Sequence, residues 1–346
     1  MTDYAARKVQ RQFLSFGEDI LRKLAYKSIG FLGLAILLVP SVLAASYPTS
    51  NHYSVGTGSR GATFYPMIEA LCRYINQSTL DFSCEAVATP GSAYNLRGIE
   101  DGRFDLALSQ ANLQYLASQG LPPFTRKYEH VRTVAPLHQE VFILAVLPGA
   151  RISRLADIKG KRINIGNVGS GSRLITERLF DFLQWNLSEF KVHSSRSADL
   201  PGLLCNKKID AAIYSTGHPN AIYAQLLGQC GVTLVNLWDE DIARFVQASG
   251  EYGAAVIPGG TYLQVPDEKQ GFGVQVLLSA HRDLPAAHVA QIVQTLVERR
   301  KVLAESAPIY KTVDAATPIQ QQVAPYHEGT RFYFQHHPRS VPEYNH

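Results

Sequence analysis

The sequence predicts an α/β fold with mostly parallel sheets, arranged as two lobes of similar design. Three observations carry this. Short apolar runs of strand length alternate with amphipathic stretches of helix length from residue 52 onward. Loops rich in glycine and serine follow strands and open helices at residues 55–66 (VGTGSRGATFYP) and 166–173 (GNVGSGSR). Residues 95–110 (NLRGIEDGRFDLALSQ) are echoed at 200–217 (LPGLLCNKKIDAAIYSTG). Each copy reads as a helix, a short turn, an aspartate, an apolar strand and a polar tip. The tips are Ser109-Gln110 and Ser215-Thr216-Gly217.

In chain order, HYSVG at 52–56 is a strand and 65–77 a helix, with Ile68, Leu71, Cys72 and Ile75 on one stripe. CEAVAT at 84–89 is a strand. The loop behind it opens a helix at Ser92, whose hydroxyl suits an N-cap. FDLALSQ at 104–110 is a buried strand, and 131–137 and 141–149 are two further strands. A short helix, a turn and a strand fill 155–166, and 169–185 is a helix behind its Gly-Ser loop. Residues 198–228 give helix, strand, helix; 232–237 and 271–281 are strands; 284–304 is one long helix.

The first 45 of the 346 residues differ from the rest. Arg7, Lys8, Arg11, Arg22, Lys23 and Lys27 precede an uncharged run at 29–45 that ends in Val42-Leu43-Ala44. A basic region, a short apolar core and small residues at the exit read as an export signal. The apolar run is short for a membrane span and Pro40 interrupts it, though the long basic region leaves an uncleaved inner-membrane anchor as the alternative. This leader takes six of the 33 basic and three of the 29 acidic residues, leaving 27 against 26. A net charge of +1 gives no argument for nucleic-acid binding. Export to the periplasm fits the four cysteines, which form two sequence-local pairs, Cys72 with Cys84 and Cys205 with Cys230, expected as disulfides. No CxxC and no histidine at ligand spacing accompanies them, so a metal site is not expected.

Gly56-x-Gly58-x-x-Gly61 has the spacing of a dinucleotide loop. That reading wants an acid at the end of the second strand; Asp81 and Glu85 lie before it or at its start. No cofactor is therefore expected. Glycine lets a ligand approach the main chain, and the first-turn N–H groups of a helix attract anions. The loops GTGSRGATF, PGSAYN and GSGSR, each capable of serving merely as a helix cap, together suggest an anion-binding cleft at the carboxyl ends of strands.

These residues also carry a family resemblance. The first loop, Gly56-Thr57-Gly58-Ser59-Arg60-Gly61-Ala62-Thr63-Phe64-Tyr65-Pro66, resembles the opening G-T-G-G-x-G-G-x-Y-Y-P of TAXI-type solute-binding proteins of TRAP (tripartite ATP-independent periplasmic) transporters. Gly91-Ser92-Ala93-Tyr94-Asn95-Leu96 is similar to the G-S-x-x-N-L of that family, and an acid-strand-Gln segment follows at 105–110. Gly160-Lys161-Arg162, then Gly166 through Gly169-Ser170-Gly171, Gly217-His218-Pro219-Asn220 and Pro325-Tyr326-His327-Glu328-Gly329 follow in the family's order, and the cysteine pairs match too. The likeness spans residues 52–335. Ser59, Arg60, Ala62 and Ile68 depart from the pattern, which bears on ligand identity more than on fold.

The resemblance implies a periplasmic binding protein-like fold of type II. Lobe 1 comprises 46–139 and 261–346, and lobe 2 comprises 140–260, with hinge crossovers near 137–142 and 257–262. It implies capture of a small anionic solute, glutamate or a C4/C5 dicarboxylate such as 2-oxoglutarate, and delivery to a membrane permease. The expected ligand residues are Gly58, Ser59, Thr63, Tyr65, Ser92, Asn95 and Gln110 from one lobe, and Ser170, Ser172, Arg173, Thr216, Gly217 and His218 from the other. Arg173 is the charged candidate, because a guanidinium grips a carboxylate with two parallel bonds. His218, before Pro219, reads first as a packed turn residue and second as a ligand contact, and His327 reads as structural. A hydrolase lacks support: GSGS at 169–172 is not the G-x-S-x-G of a nucleophile elbow, and no arrangement joins His138, His218 or His327 to Asp105 or Asp210. A periplasmic sensor on the same fold is the other alternative.

Overall fold

The computed structural model describes residues 51–316, 319 and 323–337. The leader at 1–45 lies outside them. The first segment runs β1 (His52–Gly56), α1 (Phe64–Gln77), β2 (Ser83–Val87), α2 (Ser92–Glu100), β3 (Leu106–Gln110) and α3 (Ala111–Gln119). Then come β4 (Val131–Val146), β5 (Arg162–Asn164), α4 (Gly171–Phe182), β6 (Lys191–His193), α5 (Leu200–Cys205), β7 (Ala211–Thr216), α6 (Ala221–Cys230), β8 (Thr233–Val235), α7 (Glu240–Ser249), β9 (Gly253–Ile257) and β10 (Lys269–His281). Helices α8 (Ala286–Glu298), α9 (Arg300–Ser306) and α10 (Glu328–His336) close the described chain.

The strands form one sheet in the order β2-β1-β3-β10-β4-β7-β5-β6, with β8 on β4 and β9 on β10. Pairs β1–β2, β1–β3, β5–β6 and β5–β7 are parallel. The long strands β4 and β10 run antiparallel to their neighbours and join the two halves. Each half repeats one order: second strand, first, third, an incoming strand, fourth. In the first half this is β2-β1-β3-β10-β4, and in the second β6-β5-β7-β4-β8.

Alternation along β4 explains why the second half is covered on both faces. Phe142, Leu144 and Val146 enter one apolar cluster with Ile163, Ile175, Phe180, Phe245 and Phe272. Val141, Ile143 and Ala145 point the other way, to Leu200, Leu204, Tyr223, Leu226 and Tyr262. In the first half Leu96, Ile99, Phe104, Leu113 and Leu116 form a third cluster under α2 and α3. The predicted cysteine pairs both form, with Cα–Cα distances of 5.1 Å for Cys72–Cys84 and 5.2 Å for Cys205–Cys230.

Two expectations are corrected. The two strands at 131–137 and 141–149 are one 16-residue strand. Pro136 and the polar run His138-Gln139-Glu140 broke the apolar pattern, but the register against β10 slips at both sides of Pro136. Two residues of β10 (Gln275 to Leu277) span three steps of β4 (Gln139 to Pro136), so β4 is bulged there, which is where a strand tolerates proline. The long helix at 284–304 breaks at Arg299, whose backbone (φ −105°, ψ 11°) leaves helical geometry. Arg300 then donates from Nη1 to the Val313 carbonyl at 2.8 Å, fastening α9 to the next segment.

Candidate functional site

The polar loops converge where the two halves meet. The carboxyl end of β1 leads into Thr57-Gly58-Ser59, β3 ends at Gln110, and β7 ends at Ser215-Thr216. These border a cavity of about 40 Å³. Gly58, Ser59, Thr63, Ser92, Gln110, Ser170, Ser172 and Thr216 line it, eight of the thirteen residues read from the sequence. They come from loops spread between Gly58 and Thr216, and the topology brings them together as the carboxyl-end rule for α/β sheets requires.

Direct bonds cross from one half to the other around this cavity. The Thr63 hydroxyl lies 2.8 Å from that of Thr216 and donates to the Gly217 carbonyl at 3.1 Å. It also accepts from Asn220 Nδ2 at 3.1 Å. Asn167 Nδ2 donates to the Pro90 carbonyl at 3.1 Å. Gly91, at φ +124°, sits against Ser170; a Cβ there would lie 3.4 Å from the Ser170 Cα in a backbone conformation that L residues rarely adopt. The halves are therefore closed on one another. The cavity is far smaller than the roughly 300–1,000 Å³ of a ligand site for a drug-sized molecule, so a solute of amino-acid size enters only if they part.

Five expected residues do not line the cavity. Asn95 is fully buried; its Nδ2 donates to the carbonyls of Thr57 (2.6 Å) and Leu108 (2.7 Å), and its Oδ1 accepts from Thr89 Oγ1 (2.7 Å). It pins the first loop to the end of β3. Tyr65 accepts from Arg60 Nη1 at 2.7 Å, with the guanidinium over its ring. Arg173 turns outward, donating from Nε to Glu177 at 2.5 Å and from Nη1 to Ser194 Oγ at 2.6 Å. Gly217 packs on the His138 ring, where a Cβ would meet Cδ2 at 2.4 Å. His218 pairs through Nδ1 with the Tyr262 hydroxyl at 2.6 Å and is buried against Tyr223. His327, read as structural, caps α10 by accepting from the Gly329 N–H.

The principal residue that sequence reasoning missed is Glu140. It lies on β4 beside the bulge, lines the cavity, and is 6% exposed. Its Oε2 accepts from Gln110 Nε2 at 2.6 Å and from Ser215 Oγ at 3.0 Å. Burial pushes its carboxyl up to about 7, against the two hydrogen bonds that favour the ionised form. The signal was present in His138-Gln139-Glu140, a polar interruption in an otherwise apolar crossing, which read as a gap between strands. Tyr214, also lining the cavity, bonds Ser197, and burial raises its phenol well above the usual range. Among the described residues that line the cavity none is basic.

Residues 55–337 match the NMT1-like family. The chain belongs to the NMT1-like family. Among solved structures, a protein of Bordetella bronchiseptica RB50 superposes with a TM-score of 0.53 at 14% identity, over 84% of this chain and 98% of that one. The periplasmic aliphatic sulphonate-binding protein SsuA of Escherichia coli gives 0.42 at 16% identity, over 84% and 94%. A putative L-cystine ABC transporter protein of Listeria monocytogenes gives 0.46 at 12%, over 76% and 98%. The repeated strand order, with one strand inserted into each half from the other, makes this NMT1-like chain a periplasmic binding protein-like fold of type II.

Proposed function

We propose that the chain is the extracytoplasmic solute-binding subunit of a transporter, exported by its leader, which captures a small solute with an anionic group and hands it to a membrane permease. The observation that carries this is the closed cleft: small polar residues from both halves meet around one cavity, held by the Thr63–Thr216 contact. The cleft serines serve capture. Ser170 Oγ donates to the Asn167 carbonyl and accepts from the Arg173 N–H, and Ser172 Oγ bonds the Ser215 backbone, so their hydroxyls shape the walls. The first turns of α1 and α2 have no side-chain cap and offer N–H groups to an anion. The order of loop motifs supports a TRAP-type permease of the TAXI class as partner, with glutamate or a C4/C5 dicarboxylate as the ligand class.

On this reading the two sheet halves are lobes that part about β4 and β10. The first crossing then falls at the bulged stretch of β4. We place the second within β10, because Tyr262 and Val265 pack in the same cluster as Val141 and Ile143, and 269–273 pair with β9. That is later in the chain than the crossing expected at 257–262.

Thermal melting against amino acids and dicarboxylates tests the reading. A ligand at 100 times its Kd stabilises by about 2.7 kcal/mol, a shift of a few degrees for a chain of this size. Thr63→Val keeps the side-chain volume and removes the hydroxyl that bridges the lobes. It is expected to weaken ligand binding about tenfold, the equivalent of one lost hydrogen bond of about 1.4 kcal/mol in the closed state, with the unliganded fold retained. Unchanged affinity in Thr63→Val contradicts the bridging role.

A further inference from the structure

We propose that the captured solute carries a protonated amine, and that Glu140 is its counter-ion. The inference rests on the capture reading above and specifies the chemistry of that site. Three observations lead to it.

The cavity wall contains a buried carboxylate with no cation. Glu140 receives two neutral donors, Gln110 Nε2 and Ser215 Oγ, and among the described residues that line the cavity none is Lys, Arg or His. A buried carboxylate is costly unless it is paired, so a chain that keeps one in a binding wall keeps it for a partner that arrives.

A second acceptor stands beside it. With Nε2 of Gln110 committed to Glu140, Oε1 of Gln110 is buried and has no partner. Gln110 lines the same cavity. The Gln110 oxygen lies against Gly171, where a Cβ would meet it at 2.0 Å. A carboxylate and an amide oxygen on two bonded side chains of one wall suit an ammonium group, which has three hydrogens to donate and accepts none. A solute that brings only carboxylates places its charge against Glu140 and leaves the Gln110 oxygen unsatisfied.

The positive side chain expected to receive an anion, Arg173, and the first loop's Arg60 are both engaged elsewhere. Arg173 bonds Glu177 and Ser194, and Arg60 bonds Tyr65. What remains for the anionic end of the solute is neutral: the backbone donors of the loops and the hydroxyls of Ser59 and Ser92. The cavity is thus divided, with acceptors at the Gln110–Glu140 side and donors at the loops. That polarity matches a zwitterion and disfavours a dicarboxylate.

Calorimetric titration of the full chain with matched pairs tests this: L-glutamate with glutarate, L-aspartate with succinate, and the remaining neutral L-amino acids with their des-amino acids. Each is repeated on Glu140→Gln, whose fold is checked by its own melting curve. The expected result is one or more amine-bearing binders, each des-amino partner at least tenfold weaker, and at least a tenfold loss of the amine-bearing ligand in Glu140→Gln. A des-amino acid that binds as tightly as its amine, with affinity unchanged in Glu140→Gln, overturns the counter-ion role while leaving solute capture standing. Silence from every compound, including the dicarboxylates, overturns both.

Discussion

At pH 8, Glu140→Gln is expected to melt about 4–8 °C above the parent protein when neither has ligand. Burial raises the Glu140 carboxyl from 4.5 to about 7. The folded state therefore binds the proton more tightly than the unfolded state between those values. Stability falls as pH rises through that window, and the full cost is present above pH 7. A shift of this size corresponds to about 3 kcal/mol, and for a chain this long each kcal/mol is worth roughly 2 °C. Glutamine keeps the shape, still accepts from Gln110 and Ser215, and brings N–H groups that can meet the unpartnered Gln110 oxygen.

Below about pH 4.5 the parent carboxyl is neutral in both states, so the advantage of glutamine disappears. The comparison isolates Glu140 from other titrations. His138 and His218 are pushed down to about 3 and His327 to about 4, all by burial. These cost stability as pH falls below their unfolded values, equally in parent and variant. Melting curves of both proteins from pH 4 to 8 check the prediction. A variant less stable than the parent at pH 8 shows that the ionised carboxylate is already well satisfied by the protein. The expected outcome, more stable and unable to bind, is the usual trade at a site kept for function.

Asn95→Ala is expected to be the most damaging single change near the cleft, lowering stability by about 3 kcal/mol. It takes the amide donor away from two buried carbonyls, Thr57 and Leu108, leaves Thr89 Oγ1 with only the Thr57 carbonyl at 2.8 Å, and empties the space the amide filled. Each unsatisfied buried group costs about 1–3 kcal/mol. Because Asn95 ties the first binding loop to the end of β3, ligand affinity falls too, without any contact to the ligand. Asn95→Asp should do nearly as much harm, since a carboxylate has no hydrogens for those two carbonyls. Denaturant unfolding of both variants measures this; an Asn95→Asp protein as stable as the parent contradicts the pinning role.

Much of the fold was legible because it depends on local pattern. The Gly-Ser loops, the helix at Ser92 and the strands at 52–56 and 211–216 follow from glycine placement and apolar runs. The cysteine pairs were legible because each spans little chain, α1 to β2 for Cys72–Cys84 and α5 to α6 across β7 for Cys205–Cys230. What was lost depended on partners far away. Asn95 and Gln110 both read as polar loop-end residues, yet one faces backbone carbonyls and the other the cavity, and that difference is set by which strand lies beneath each. Arg173 read as a carboxylate grip, although Glu177 one turn later already offered an i,i+4 partner on the same helix. Glu140 was hidden by a bulge, since period-two alternation cannot be followed through an extra residue.

The most direct measurement is a crystal structure of the complex with the tightest-binding compound from the matched pairs. The account predicts the ligand nitrogen about 3 Å from a Glu140 oxygen and from Gln110 Oε1, with its anionic group at the first-turn N–H groups of α1, α2 or α4. A carboxylate of the ligand against Glu140, or a ligand seated outside the cavity between the two halves, would contradict it.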